Sequence, residues 1–151
     1  MKKRIFVLIT ILTIVVSTIK PIKAADASVE AYFSSSSVVL SNTVKLTIKL
    51  KCNNGVGGGK IIFSYDTQYL KYVSANLNGR GHIQGNVIIV EPSADKSVTF
   101  SITFSTKKIG STKVEVNTTQ FASYDPPQYV GGYSEKIVKT LQTKLPNCYL
   151  N

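Results

Sequence analysis

The stretch TVKLTIKLK at residues 43–51 decides the fold class. Its valine, leucine and isoleucine residues take every second position, and lysine and threonine take the positions between them. Because neighbouring side chains of a β-strand point to opposite faces, this alternation predicts a strand with one buried and one solvated face. Such a strand is typical of an antiparallel β-sandwich, in which one side of each sheet packs on the core and the other faces water.

The same period of two recurs along most of the chain, which indicates an all-β protein. Turn-forming residues such as Gly57-Gly58-Gly59 and Asn78-Gly79 separate the alternating segments. About nine evenly spaced strands predict a jelly-roll β-sandwich, and the only helical candidate is one turn at residues 66–70. Besides residues 43–51, the predicted strands are residues 29–33, 38–40, 61–65, 69–74, 86–90, 98–104, 114–116 and 137–141. The predicted core contains Val44, Leu46, Ile48, Phe63, Val98, Phe100, Ile102 and Phe104.

The first residues have the three parts of a secretory signal peptide. Met1-Lys2-Lys3-Arg4 is basic, residues 5–19 are largely apolar, and the small residues Ala24 and Ala25 follow. We expect cleavage after Ala24, with Ala25 as the alternative. The competing interpretation is a membrane anchor, but the apolar run is shorter than the roughly 20 residues that span a bilayer, and Lys20-Pro21 ends it. A secreted, extracellular protein is therefore predicted, which meets the membrane only through this transient segment.

The signal peptide accounts for half of the net charge. The chain has 18 basic and 8 acidic residues, giving +10, and five basic but no acidic residues precede Ala25, so +5 remains. This scattered excess argues against nucleic-acid binding; it would suit an acidic cell-wall polymer, with solubility as the preferred explanation. Of 151 residues about 127 follow the cleavage site, enough for one domain. We assign residues 25–141 to that domain and residues 142–151 to a polar C-terminal tail.

Two cysteines, Cys52 and Cys148, lie in the part that is expected to be exported. An even number of cysteines in an oxidising compartment favours a disulfide, which here would tie the end of the first long strand to the C-terminal tail. The alternative is a pair of free thiols, as in a protein from an anaerobic organism.

No constellation of residues points to catalysis, a metal or a cofactor. His82 is the only histidine, no Gly-x-Ser-x-Gly motif is present, and no pair of carboxylates has a setting typical of a glycosidase. Asp66 and Asp125 lie in turns without acidic neighbours, so capping of the turn is preferred over calcium binding. The glycine run at residues 55–60 lacks the spacing of a phosphate-binding loop and is interpreted as a flexible connection between strands.

Tyrosines mark the best candidate for a binding site. Tyr124, Tyr129 and Tyr133 cluster in a predicted loop at residues 121–133, which also contains Pro126-Pro127. Tyrosine offers a large contact area at a low entropic cost, so these three residues are the predicted ligand-binding residues. In the equally weighted alternative, the rings simply cover one end of the sandwich. If the loop is not the site, the outer face that carries Lys45 and Lys49 is the next candidate.

The order of these segments resembles that of a cohesin domain, or of the cohesin-like domains of exported proteins in Gram-positive anaerobic bacteria. The most specific element is the strand that ends in Tyr65-Asp66, followed by Leu70 and then by Tyr72-Val73-Ser74. The resemblance covers about residues 28–140. It implies a nine-stranded jelly-roll sandwich that acts as a non-catalytic binding module. The best-known members bind dockerin modules and so assemble cellulase complexes, and the fold is similar to that of some carbohydrate-binding modules.

Some features depart from the scaffold pattern. The chain has one copy of the domain, no dockerin repeat and no catalytic partner, and Leu145-Pro146-Asn147 begins like a sortase signal but Cys148-Tyr149 do not continue it. No dockerin-contacting residue can be assigned from the resemblance. We therefore expect a secreted module for extracellular protein–protein interaction, whose partner is an exported protein such as a dockerin-bearing one. The alternative is a module that binds polysaccharide or cell wall, and a hydrolase has the lowest weight.

Overall fold

The computed structural model describes residues 27–124 and 135–146, and over these residues the chain is all-β, with ten strands and no helix. This confirms the predicted β-sandwich. The strands are β1 (Ala27–Phe33), β2 (Ser37–Val39), β3 (Thr43–Cys52), β4 (Val56–Tyr65), β5 (Leu70–Asn76), β6 (Gly81–Gln84), β7 (Val87–Val90), β8 (Ser97–Thr106), β9 (Gly110–Ser123) and β10 (Glu135–Lys144).

The strands form two sheets that pack face to face. One sheet is four-stranded, with the order β1-β3-β8-β5, and the other is six-stranded, with the order β2-β10-β9-β4-β7-β6. Every pair of neighbouring strands is antiparallel except β2 and β10, which are parallel. Successive strands lie in different sheets except for β6 and β7 and for β9 and β10, so the two sheets are joined by many connections.

The core lies between the sheets and contains all eight residues predicted to be inside. Four aromatic rings join the sheets at one place: Phe63 and Tyr65 from β4 meet Phe104 from β8 and Tyr72 from β5. The ring centroids of Tyr65 and Phe104 are 4.9 Å apart, and those of Phe63 and Phe104 are 6.5 Å apart at an angle of 69°. Tilted and edge-on aromatic pairs of this kind add about 0.5–1.5 kcal/mol beyond the burial of their area.

Three local predictions need correction. The glycine run Gly57-Gly58-Gly59 is part of β4 and not a connection between strands. His82 lies on β6, a short strand that the pattern did not predict, and its side chain is exposed. β10 continues to Lys144, beyond the predicted strand at residues 137–141.

The turn at residues 66–70 forms as predicted. The amides of Tyr69 and Leu70 donate to the carbonyl oxygen of Asp66, and the amide of Gln68 donates to the Asp66 side chain at 2.8 Å. Asp66 therefore caps a single turn between β4 and β5. Within residues 27–124 and 135–146, no helix is long and apolar enough to cross a membrane.

The fully buried Ile102 provides a test of the core. We expect Ile102→Asp to unfold the domain or to lower its free energy of unfolding by at least about 4 kcal/mol, because the introduced carboxylate would have no partner between the sheets. Thermal denaturation followed by circular dichroism measures this. Ile102→Val is the matched control and should cost only about 0.5–1.5 kcal/mol. A melting curve for Ile102→Asp that overlays the parent curve would contradict the assignment of this face of β8 to the core.

Candidate functional site

An open cleft lies at the end of the sandwich where β3 ends, β8 begins and β9 ends. Its volume is about 280 Å³. We call it the end cleft, and its lining is Asn53, Asn54, Gly55, Ala94, Lys96 and Tyr124. The lining offers two side-chain amides, one ammonium group and one aromatic ring, which could bind a polar ligand.

Backbone hydrogen bonds hold the walls of the end cleft together. The amide of Tyr124 donates to the carbonyl oxygen of Gly55 at 3.0 Å. The amide of Cys52 donates to the carbonyl oxygen of Lys96 at 2.9 Å. Between the lining residues Ala94 and Lys96, the carboxylate of Asp95 accepts hydrogen bonds from Arg80 Nη2 at 2.6 Å and from Ser93 Oγ at 2.8 Å. These bonds place Tyr124 at a fixed position relative to the turn between β3 and β4.

Two glycines permit the close approach of these walls. Gly55 has a φ of +79°, and a Cβ atom there would lie 2.9 Å from the Cβ of Tyr124. At Gly57, a Cβ atom would lie only 1.9 Å from the carbonyl oxygen of Ser123. The pairing of β4 with β9 shifts register between Val56 and Lys60, so the glycine run lets β4 pass an irregular stretch of β9.

Of the three predicted ligand-binding residues, the structure places one. Tyr124 lies directly after β9, is 45% exposed and lines the end cleft. Tyr129 and Tyr133 lie outside the described residues, so their role stays a prediction. The predicted start of the loop at Phe121 is wrong, because Phe121 belongs to β9 and is buried in the core.

The proposed disulfide also stays a prediction. Cys52 is the last residue of β3 and is 2% exposed, and it has no disulfide partner among the described residues. Cys148 lies outside these residues.

A second candidate surface, which the sequence patterns did not reveal, lies on the outer face of the six-stranded sheet. Ile62 on β4 is directly opposite Val87 on β7, and Ile89 follows two residues after Val87 on the same face. All three side chains are half-buried. We call these three residues the aliphatic patch. Its polar neighbours in the same rows of the sheet are Lys60, His82, Gln84, Asn117 and Thr119.

An exposed ion pair and an exposed contact between a histidine and a carboxylate lie on or beside this sheet. Lys136 Nζ lies 3.0 Å from Glu115 Oε2, and His82 Nδ1 lies 3.9 Å from Glu91 Oε1. An exposed ion pair of this kind contributes about 0–1 kcal/mol, so it adds little to the stability of the fold. In residues 27–124 and 135–146, no group of three or more histidine, cysteine, aspartate or glutamate residues is placed to hold a metal ion.

Comparison with known proteins identifies the fold. No protein-family model and no curated protein matches the chain. Among solved structures, it is similar to the seventh type I cohesin of ScaB from Pseudobacteroides cellulosolvens, with 10% identity, a TM-score of 0.58, and 82% of this chain and 96% of that chain covered. A type II cohesin of the Acetivibrio cellulolyticus cellulosome gives 12% identity and a TM-score of 0.56, with 77% and 95% covered.

A third similar structure is the OlpA cohesin of Clostridium thermocellum in a type I cohesin–dockerin complex, with 11% identity and a TM-score of 0.55 over 78% of this chain and 99% of that chain. The resemblance to cohesin domains that the sequence suggested is therefore confirmed for the fold.

Gly57 supplies the test of how the end cleft is built. We expect Gly57→Ala to lower the free energy of unfolding by about 2 kcal/mol or more, because the added methyl group would overlap the backbone of Ser123. Gly59→Ala is the matched control. Its added Cβ atom would lie 3.2 Å from Phe121 Cα, and a small shift should relieve this contact. Urea denaturation of both variants measures the difference. Equal losses of stability in the two variants would show that the short distance between Gly57 and Ser123 is not what excludes a larger residue at position 57.

Proposed function

We propose that this chain is a non-catalytic, extracellular binding module of the cohesin type, and that its partner is an exported protein that carries a dockerin module. The fold supports this proposal, since it is similar to that of the cohesins described above, one of which was solved in complex with a dockerin. The extracellular location rests on the predicted signal peptide at residues 1–24. N-terminal sequencing of the exported protein should find its start at Ala25 or within a few residues of it.

The aliphatic patch is the observation that carries the proposal. Ile62, Val87 and Ile89 are neighbours on one face of the sheet, and polar side chains surround them. Protein–protein interfaces commonly have this arrangement, with an apolar centre that is desolvated on binding and a polar rim. Directly opposite residues on antiparallel strands have their Cβ atoms about 4.5–5.5 Å apart, which brings Ile62 next to Val87. Ile89 is two residues along β7 from Val87 and diagonal to Ile62, within reach of a long side chain.

The polar groups of the described residues favour binding over catalysis. His82, the only histidine of the chain, is exposed and has the exposed Glu91 as its acidic neighbour. General acid–base catalysis requires a positioned group next to a site that can hold a substrate, and neither side chain lies in the end cleft. A binding role needs no such group.

We expect Ile89→Asp to weaken binding of the dockerin-bearing partner at least about tenfold, because a carboxylate in the centre of the interface would lose its hydration without gaining a partner. Titration calorimetry with purified dockerin-bearing proteins from the same genome measures the affinity. Val138→Asp is the matched control: Val138 is an exposed residue of the same sheet, on β10 and outside the aliphatic patch, so this change should leave the affinity within about twofold.

Two results would contradict the proposal in different ways. Equal weakening by Ile89→Asp and Val138→Asp would remove the aliphatic patch from the interface. Failure of the parent protein to bind any dockerin-bearing protein of its own genome would remove the partner class.

The second candidate function is the binding of carbohydrate or cell wall, and the end cleft favours it. Tyr124 presents an exposed ring beside the amide side chains of Asn53 and Asn54. A ring can stack on a sugar face while amide groups accept and donate hydrogen bonds to hydroxyl groups. Tyr129 and Tyr133 follow Tyr124 along the chain and are proposed to contribute to the same site.

If the end cleft binds carbohydrate, Tyr124→Ala should weaken the binding of soluble cell-wall oligosaccharides about fivefold to tenfold, because the stacking surface is removed. The double variant Tyr129→Ala with Tyr133→Ala should weaken it as well, without a large loss of stability. Tyr32→Ala is the control, since Tyr32 is a similarly exposed tyrosine on β1, in the other sheet. Affinity electrophoresis measures the effect. Unchanged oligosaccharide binding in both tyrosine variants would exclude the end cleft as the carbohydrate site.

A further inference from the structure

The outer face of the four-stranded sheet has a chemistry quite different from that of the aliphatic patch. On its two central strands, every outward-facing residue is lysine, serine or threonine. We call this surface the lysine–hydroxyl face. On β3 the outward residues are Thr43, Lys45, Thr47, Lys49 and Lys51, and on β8 they are Ser97, Thr99, Ser101, Thr103 and Ser105.

The register of the two strands sets lysines beside hydroxyl groups. Lys45 is directly opposite Thr103, and Lys49 is directly opposite Thr99. Between these two rows, Thr47 is opposite Ser101. Because a strand rises about 3.3 Å per residue, Lys45 and Lys49 are attached to the sheet about 13 Å apart, with hydroxyl groups filling the distance between them.

The lysine–hydroxyl face has an excess of positive charge. Glu30 on β1 is the only carboxylate among the outward residues of these four strands, and it forms an ion pair with Lys51. The hydrogen bond from Lys51, with smaller contributions from the charges of Lys51 and Lys49, lowers the pKa of Glu30, so this carboxylate stays ionised. Within the described residues, Lys45 and Lys49 form no ion pair of their own.

The residue types select among anionic ligands. Lysine ammonium groups are compact point charges that suit phosphate oxygens, whereas paired recognition of carboxylates favours arginine, and none of the outward residues here is arginine. The central strands also offer no aromatic ring on which a sugar ring would stack, since Tyr32 lies on the edge strand β1. Serine and threonine hydroxyl groups donate to phosphate oxygens and exchange hydrogen bonds with alcohol groups.

We propose that the lysine–hydroxyl face binds a linear polymer of polyols joined by phosphodiester groups. Lys45 and Lys49 bind separate phosphates along the polymer, and the hydroxyl groups of β3 and β8 bind the polyol units between them. This function goes beyond the proposed partner binding and uses the opposite sheet. A membrane surface is disfavoured because the central strands carry no apolar side chain for insertion, and single-stranded nucleic acid is disfavoured because they carry no ring for base stacking.

Binding of soluble poly(glycerol phosphate) to the intact protein tests the proposal. At about 50 mM salt, we expect Lys45→Gln with Lys49→Gln to lower the affinity about fivefold and to make its salt dependence shallower, because two charge contacts are lost. The matched control is Lys113→Gln with Lys144→Gln, which removes the same charge from exposed positions on the six-stranded sheet and should change the affinity less than about twofold.

A gain of binding provides an independent check. Glu30→Gln should raise the affinity about twofold, because it removes the carboxylate that neutralises Lys51. Glu115→Gln is its control, since Glu115 forms an equivalent exposed ion pair with Lys136 on the other sheet.

Several outcomes would overturn the proposal. These are a failure to bind poly(glycerol phosphate), equal losses in the two double-lysine variants, and tighter binding to vesicles with anionic lipids or to single-stranded DNA. Each of them leaves dockerin binding at the aliphatic patch untouched, because Lys45 and Lys49 lie on the opposite sheet. The two proposals therefore fail separately.

Discussion

The packing of the inward faces of β3 and β8 against β4 and β9 is the interaction on which the rest of the structure depends. Leu46, Ile48, Phe100 and Ile102 are fully buried on the four-stranded sheet, and Phe63 of β4 meets Phe104 of β8 across the core. Full burial of such a side chain contributes about 1.5–3 kcal/mol. A slip of one residue along either strand would turn this whole set toward water, so the apolar burial also fixes the register.

Because the register is fixed, the outward residues are fixed as well, and with them the surfaces available for binding. Thr47 and Lys49 face water for the same reason that Ile48 does not. The two outer faces therefore present separate chemistries, aliphatic where β4 and β7 pair in the six-stranded sheet and basic with hydroxyl groups on the four-stranded sheet. Packed sheets lie about 10 Å apart, so ligands on opposite faces do not compete for space. The proposed protein partner and the proposed polymer could therefore be bound at the same time.

Features that depend on neighbouring residues in the sequence could be predicted, whereas features that depend on contacts between distant residues could not. The strand Thr43–Cys52 and the core residues were predicted because alternation is encoded locally, in nine consecutive residues. The short strand Gly81–Gln84 was missed because its four residues include one large apolar side chain and a glycine, too little for a pattern. The glycine run in β4 was misinterpreted because the need for glycine at position 57 comes from the close carbonyl oxygen of Ser123. Ser123 is more than sixty positions away in the sequence.

The candidate binding surfaces also depend on contacts between residues that are distant in the sequence. Tyr124 was identified from residue type alone, whereas the end cleft that it lines depends on hydrogen bonds to Gly55. Ile62 lies between the buried residues Ile61 and Phe63, so its outward direction is hidden in an apolar run. Only the pairing of β4 with β7 places Val87 and Ile89 beside it.

The forces that act on the two faces also differ in their response to the medium. Attraction between exposed lysines and phosphates is screened over about 8–10 Å at physiological ionic strength, so it weakens as salt rises. Burial of an aliphatic centre carries no such dependence and is strengthened by salts that are excluded from protein surfaces. If both proposed interactions occur, raising the salt concentration should release the polyanion before the protein partner. Ionic strength therefore separates the two interactions experimentally without any substitution in the chain.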